Sequence, residues 1–443
     1  MDSNTVYFND KKQKEHKSTQ MILTILICSI AILFAQIGER KNSELLVAIG
    51  FAAVASWSFL CEKKYTLAII LFLIPDNSLL ELGGISIQLI VMAAFLVRGA
   101  KEGGFHKNTI IAGLLISLYS VIYISIGVGY VLLGVKLALM IQFFTEYYRR
   151  YTPDAKVYKD LLLFSILGDA LSIGFAILTN PDFFNASRIA LSENSNWNLL
   201  GIWSALLFSH CFALYFIYGK KCYLMYSALM LVSSLLTTSR TAVVVLVFCG
   251  LWTIFFINKK NAFLKKAVII VVIALVAFLV IFGYLHITYL DKIIDRIINP
   301  RRGDISNGRF TLWMKYINYL IDNKDVLLFG YGTATVPGMT TLTGGEKSYM
   351  AHNMLIEQIT MYGIVGTLFV FNLYRTSIRA IKKAYSRKFV KISKSWVYAV
   401  NILAVFVAGM FSHVITSVLV TTELFLGFLF YYSMSYKGEI NER

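Results

Sequence analysis

Charged residues are scarce in this chain, and acidic ones are the scarcest. Only 15% of its 443 residues are Asp, Glu, Lys or Arg, whereas an average soluble domain has about 25%. Hydrophobic residues make up 57% of the chain, and its mean hydropathy is +0.65. Several apolar runs reach the length of about 20 residues that a helix needs to cross about 30 Å of hydrocarbon. The sequence therefore predicts an all-α, polytopic membrane protein.

Common catalytic and metal-binding motifs are also missing. The five cysteines include no CxxC pair, so we expect neither a disulfide framework nor a zinc site. There is no P-loop, no GxGxxG after a strand, no HExxH and no aspartate pair that would hold a nucleotide sugar through a divalent metal. An enzyme with this sequence is expected to use no metal, no cofactor and no nucleotide-activated donor.

The basic excess points to membrane topology. The chain has 42 Lys and Arg residues against 25 Asp and Glu, a formal net charge of +17. These basic residues form short clusters between apolar segments, without the aromatic-interleaved basic domain of a nucleic-acid binder, so we expect no nucleic-acid partner. Positive charge gathered in alternate loops is typical of a membrane protein that follows the positive-inside rule.

The apolar runs predict fourteen helices, of which about twelve to fourteen would cross the membrane. The third and fourth are short, and "PDNSLLELGG" between them favours either a re-entrant pair or a simple hairpin. The first apolar run lacks a small-residue cleavage site after it, which favours an uncleaved first helix over a secretory signal. The predicted helices lie near 20–37, 43–60, 65–76, 84–98, 108–126, 128–147, 159–178, 197–218, 222–237, 240–257, 265–285, 352–375, 395–412 and 414–434.

Most of the basic residues fall in loops on the side of the N-terminus, which predicts that both termini are cytoplasmic. The predicted organisation is a cytoplasmic tail (1–19), a first group of transmembrane helices (20–285), an extracytoplasmic loop (286–351), a second group of helices (352–434) and a cytoplasmic tail (435–443). In the loop, "TYLDKIIDRIINP" and "FTLWMKYINYLIDN" place apolar residues at helical spacing. We expect amphipathic helices there, forming a structured lid on the membrane surface or over a cavity.

The threading places four polar side chains on the extracytoplasmic face: Arg188, Arg240, Arg309 and His352. Arginine grips phosphate oxygens through two parallel hydrogen bonds and keeps its charge when partly desolvated. This suits a lipid-linked phosphate or diphosphate. The alternative is that each arginine caps a helix C-terminus or extends to lipid headgroups.

A histidine can remove a proton near neutral pH, which a sugar hydroxyl requires before it attacks an anomeric carbon. His352 competes for this role with His286, His413 and the deeper His210, and a lone helix histidine is more often structural. The adjoining loop and Asn353 favour His352. Charged residues inside predicted helices, such as Glu423, keep a transporter open as an alternative.

Three segments together resemble the O-antigen ligase and O-antigen polymerase superfamily of bacterial membrane glycosyltransferases. They are "SRTAVVVLVF", "NGRFTLWMKYINYLIDNKDVLLFGYGT" and "AHNMLIEQITMYGIVG", in this order, and the resemblance covers roughly residues 185–375. In the last segment, the glycines at 363 and 366 predict close helix packing.

The resemblance implies a GT-C-like, metal-independent and inverting glycosyltransferase of the bacterial inner membrane, with its site on the extracytoplasmic face. Its donor and acceptor would be undecaprenyl-diphosphate-linked oligosaccharides. Membrane lipids and a chain-length regulator are further candidate partners. A polymerase extends the glycan with the next lipid-linked repeat unit, whereas a ligase transfers it to a lipid core or protein. The modest loop and the lack of an appended soluble domain favour the polymerase, and a lipid-linked oligosaccharide flippase is the alternative from another class.

The resemblance also implies site roles. Arg188 and Arg240 would bind the donor diphosphate and stabilise the leaving group, and His352 would act as general base or orient the acceptor hydroxyl. The remaining candidates would bind substrate around the outer cavity: Arg309, Tyr331, Asn353 and Asn198. The last of these, in "NSNWNLLG", stands where many relatives have a proline-asparagine pair.

Overall fold

A computed structural model describes residues 3–76, 78–151, 155–179, 197–237, 239–257, 308–339, 349–385, 399–410 and 418–434. Helices account for nearly all of this part of the chain, with one two-stranded hairpin of β1 (Glu81–Leu82) and β2 (Ile85–Ser86). The helices are α1 (Ser3–Arg40), α2 (Glu44–Leu60), α3 (Thr66–Leu73), α4 (Ile87–Gly99), α5 (Lys107–Tyr119), α6 (Val128–Arg150), α7 (Ala155–Thr179), α8 (Trp197–Tyr218), α9 (Lys221–Leu236), α10 (Arg240–Trp252), α11 (Arg309–Asp322), α12 (Lys324–Phe329), α13 (Met354–Tyr385), α14 (Val400–Gly409) and α15 (Val418–Met434).

The architecture confirms an all-α polytopic membrane protein. In the described ranges, five helices are long and apolar enough to cross a membrane: Thr19–Arg40, Val128–Arg150, Lys156–Thr179, Asn198–Tyr218 and Met354–Ala384. Shorter apolar helices of 10–17 residues stand beside them. The helix predicted near 265–285 and the amphipathic segment at 288–300 lie outside the described residues, as do Arg188, His286 and His413.

The helices form two compact units. The first contains α1 to α4 and α7 from Asp160 onward. In it, the carboxylate of Asp76, just after α3, accepts hydrogen bonds from Gln36 of α1 (3.0 Å) and from the Ser172 hydroxyl of α7. All eight residues of α3 are buried. At about 12 Å, α3 is too short to cross the membrane alone, and the β1–β2 hairpin links it to α4.

The second unit contains α5, α6 and α8 to α15, with the first turn of α7. Helices α8, α9 and α10 pack against one another, α13 packs against α5 and α6, and α14 packs against α8, α10 and α15. A buried polar cluster joins three of these helices. The ring of His210 on α8 is hydrogen-bonded to Asn401 of α14 (2.9 Å), and its Nε2 lies 3.6 Å from the Glu423 carboxylate of α15. His210 lies about 18 Å along α8 from Asn198, which argues against it as the base of a site at the start of α8.

α13 is interrupted at Gly363, whose φ of 63° is left-handed. The break exposes carbonyl groups of Thr360 and Met361, and these accept hydrogen bonds from the backbone N–H groups of Tyr331 (2.6 Å) and Gly332 (3.0 Å). A Cβ at Gly363 would clash with the backbone of the Leu328–Gly330 segment. The close packing predicted from this glycine therefore occurs with the end of the short helix α12 and with Gly330 after it, and not with another membrane-crossing helix.

Candidate functional site

The N-terminal ends of α8 and α10 meet in the second unit. Gly201, in the second turn of α8, approaches Thr237, Ser239 and Ala242 so closely that a side chain there would clash. The Ser234 hydroxyl donates to the Gly201 carbonyl (3.0 Å) at the same place. This contact places the first turns of both helices, with Asn198 on α8 and Arg240 on α10, at one end of the unit.

Arg240 is the first residue of α10, directly after the N-cap. The Ser239 hydroxyl accepts a hydrogen bond from the Ala242 N–H (3.3 Å), as Ser does at helix N-termini. The unpaired N–H groups of a helix N-terminus carry a partial positive charge. A partly buried guanidinium at this position adds a full charge of the same sign, which favours a bound anion.

Arg309 is the first residue of α11 and lies within electrostatic reach of Arg240. Burial lowers the pKa of the Arg309 guanidinium below its ordinary value, and the positive charge of Arg240 lowers it further. Two cations held in a partly desolvated place repel each other, and an anion bound between them would relieve that repulsion. The structure therefore brings together two of the three arginines that the sequence singled out.

A small aromatic core holds α11 and thus Arg309 in place. Leu312, Tyr316, Val336, Met339 and Ala351 form its buried part, with Trp313 and Tyr331 packed against it. Tyr316 carries the one hydroxyl group of this buried part, and burial raises its pKa to about 12. That hydroxyl donates to the Tyr349 carbonyl (2.7 Å), with the Ala334 carbonyl 3.1 Å away.

The same core links Arg309 to His352. The Trp313 indole N–H, one helical turn after Arg309, donates to the carbonyl of Ala351 (2.7 Å), the neighbour of His352. His352 is partly exposed. Its φ of 52° is left-handed, which costs a non-glycine residue about 1–2 kcal/mol. The Glu357 carboxylate, buried beneath it, accepts the His352 backbone N–H (2.7 Å) and holds this turn.

Asn353 caps α13. Its side-chain oxygen accepts hydrogen bonds from the N–H groups of Leu355 (3.1 Å) and Ile356 (3.2 Å), and its amide nitrogen donates to the Met410 carbonyl at the end of α14 (3.4 Å). Only 4% of Asn353 is exposed. These bonds give Asn353 a structural task beside His352, and a substrate-binding role for it stays a prediction.

The other candidates occupy different surroundings. Tyr331 is partly buried against the aromatic core that holds α11, and its backbone N–H donates to the Thr360 carbonyl at the break in α13, about two turns after His352. Asn198 is partly exposed in the first turn of α8. Binding roles for both stay predictions. Arg188 lies outside the described residues.

Sequence reasoning missed two features of this site. Glu357 was not singled out, although an asparagine followed four residues later by a glutamate is close to the spacing of a capping box. The spacing of Trp313 indicates only an apolar helix face, and nothing in it shows that the indole N–H reaches the Ala351 carbonyl.

An apolar cavity of about 240 Å³ opens beside the first turns of α13. Its lining includes Met354, Leu355, Phe406 and Met410, so it begins next to the Asn353 cap. One amide, that of Gln358, also lines it and is buried. This apolar cavity therefore lies next to the turn that carries His352 and Asn353.

Fold and site together define a polytopic membrane protein with a cationic, histidine-bearing site where several of its helices begin. Residues 225–371 match the family model described as O-antigen ligase. The match confirms the resemblance to the O-antigen polymerase and ligase superfamily, and it does not separate polymerase from ligase. A comparison with curated proteins gives no match. The matched segment contains Arg240, Arg309, Tyr331, His352 and Asn353, and it leaves out Arg188 and Asn198.

Proposed function

We propose that this protein is a polymerase of surface polysaccharide, either O-antigen or capsule. It would move a growing glycan from undecaprenyl diphosphate to the non-reducing-end sugar of the next lipid-linked repeat unit. The observation that carries this proposal is the placement of Arg240 and Arg309 within electrostatic reach of each other, inside the family-matched region. Such a cationic pair fits a diphosphate, because a diphosphate presents two adjacent anionic groups.

The proposed reaction needs only the groups of this site. The acceptor hydroxyl attacks the anomeric carbon of the donor glycan, and His352 takes the hydroxyl proton. The new glycosidic bond forms as the bond from the anomeric carbon to the diphosphate oxygen breaks, with inversion. Arg240 and Arg309, together with Arg188, stabilise the negative charge that develops on the departing undecaprenyl diphosphate.

The lipid part of the donor also has a place in this proposal. The apolar cavity beside Met354 and Met410 would receive the first isoprene units of the donor, while its diphosphate stays at the arginines. The aromatic core with Tyr316 and Trp313 keeps Arg309 and His352 in fixed positions, so these side chains need little reorganisation when substrate binds.

In the proposed setting, the chain lies in the bacterial inner membrane with both termini in the cytoplasm. The positive-inside pattern supports this orientation, which places the starts of α8, α10 and α13 on the extracytoplasmic side. Undecaprenyl-linked repeat units would be available there as donor and acceptor. A chain-length regulator is a further partner that this proposal includes.

Purified full-length protein in nanodiscs, supplied with lipid-linked repeat units as the sole substrate, tests the function. We expect a ladder of glycans on undecaprenyl diphosphate, because a polymerase uses the same molecule as donor and acceptor. Products only after addition of a lipid core or a protein acceptor would identify a ligase instead. Movement of unchanged units across a vesicle membrane, without new glycosidic bonds, would identify a flippase.

A further inference from the structure

A second cavity, with a polar lining, lies in the same unit at the other end of α13. It has a volume of about 430 Å³ and is formed between the start of α5 and the last turns of α13. Three basic residues line it: His106 before α5, and Arg379 and Lys383 on α13. The stretch of α13 from Gly363 to Lys383 alone runs about 30 Å, so this cavity is separate from the candidate reaction site.

The charge of the cavity favours an anion. Among its lining residues in the described part of the chain, none is acidic. The nearby carboxylate of Glu146 is held by Arg149 (2.9 Å) and Arg150 (3.6 Å). The Nδ1 atom of His106 accepts the Thr109 N–H (3.3 Å), which makes Nε2 the protonated, donating nitrogen of the neutral ring.

Neutral hydrogen-bonding groups complete the polar side of the cavity. Asn108, Asn372 and Thr376 line it together with the basic side chains. The two amides, the hydroxyl and the two cations provide hydrogen-bond donors that point in different directions. The tetrahedral oxygens of a phosphate require such an arrangement. A phosphate group is therefore the anion that these groups fit best.

The other side of the cavity is apolar and faces outward. Ile111 and Leu115 of α5 line it, and their side chains are 56% and 41% exposed. Leu118, one turn further along the same helix, is 67% exposed. In a membrane-crossing unit such residues contact lipid chains. The cavity thus joins a phosphate-binding end to a surface suited to acyl chains.

We propose that this cavity binds an anionic phospholipid, with the headgroup phosphate at His106, Arg379 and Lys383 and an acyl chain along Ile111, Leu115 and Leu118. Basic pockets between membrane helices recognise anionic headgroups through this combination of charge and apolar wall. The lipid would hold α5 against the end of α13 without taking part in glycan transfer. The proposal does not depend on which reaction the protein performs.

Native mass spectrometry of delipidated full-length protein in detergent tests this site. The probes are short-chain phosphatidylglycerol, phosphatidylcholine with the same chains, and inorganic phosphate. We expect phosphatidylglycerol to bind most tightly. The double variant Arg379→Gln/Lys383→Gln should bind it at least about tenfold more weakly, because two headgroup contacts lose their charge. Both side chains are exposed, so the variant should elute and melt like the wild type.

The double variant Arg375→Gln/Lys382→Gln is the matched control, since it removes the same charge from exposed positions of α13 outside the cavity. It should keep the wild-type affinity. Equal losses in both double variants, or no loss in either, would overturn the proposal. Equal affinity for phosphatidylcholine would overturn it as well, and inorganic phosphate binding as tightly as phosphatidylglycerol would show a free-anion site instead of a lipid site.

Discussion

Cells that carry Arg240→Ala should make no polymer, while lipid-linked single repeat units persist and the protein remains at its normal level in the membrane. Arg240 stands at the N-terminus of α10 and shares its electrostatic surroundings with Arg309. Removal of one preorganised group that stabilises developing charge slows a reaction by about 100- to 1,000-fold. Polysaccharide gels measure the polymer, an immunoblot measures the protein level, and analysis of the lipid-linked pool measures the single repeat units.

Two further variants separate a role in phosphate binding from a general loss of charge. Arg240→Lys keeps the charge but loses the paired hydrogen bonds of the guanidinium, so it should retain only part of the activity. Arg375→Ala removes an exposed arginine from the far part of α13 and should leave polymer length unchanged. Normal polymer in Arg240→Ala would remove this residue from the proposed site.

His352→Ala should also abolish polymer, with an expected rate loss of about 100- to 10,000-fold for a general base. This variant alone is ambiguous, because His352 has a left-handed backbone held by Glu357. Alanine is disfavoured in that conformation. A loss of activity in His352→Ala could therefore come from the turn as well as from the imidazole.

His352→Asn and His352→Gly separate the two causes. Both residues accept a left-handed conformation, so the turn before α13 and the Trp313 to Ala351 hydrogen bond should survive. If the imidazole takes the proton, both variants should be as inactive as His352→Ala. Recovery of polymer in either one would mean that His352 serves only to shape the turn.

The sequence predicts the end of a helix well where a nearby glycine or proline terminates it. α8 spans Trp197–Tyr218, as its apolar run predicts, because Gly219 follows with a left-handed φ of 68° and its N–H bonds to the Tyr215 carbonyl (2.7 Å). α3 ends at Leu73, close to the proline that predicts its end. The helix predicted from "FTLWMKYINYLIDN" is also confirmed, as α11, and its place in an extracytoplasmic lid stays a prediction.

The parts that the sequence could not predict depend on contacts between distant segments. The insertion of Tyr331 and Gly332 at the break in α13 joins residues about thirty positions apart through backbone groups, and backbone groups leave no side-chain pattern to recognise. The electrostatic contact of Arg309 with Arg240 likewise joins residues about seventy positions apart in the sequence. Charge patterning predicts both arginines on one face of the membrane, and it carries no information on the distance between them.

We expect the Arg240 and Arg309 region to bind the diphosphate of a lipid-linked glycan. The most direct measurement is the affinity of purified protein for undecaprenyl diphosphate, compared with Arg240→Gln and with Arg375→Gln as the control. Charge-assisted hydrogen bonds contribute about 1.5–3 kcal/mol each, so Arg240→Gln should bind about 10- to 100-fold more weakly while the control is unchanged. Equal affinity in all three proteins would contradict the account.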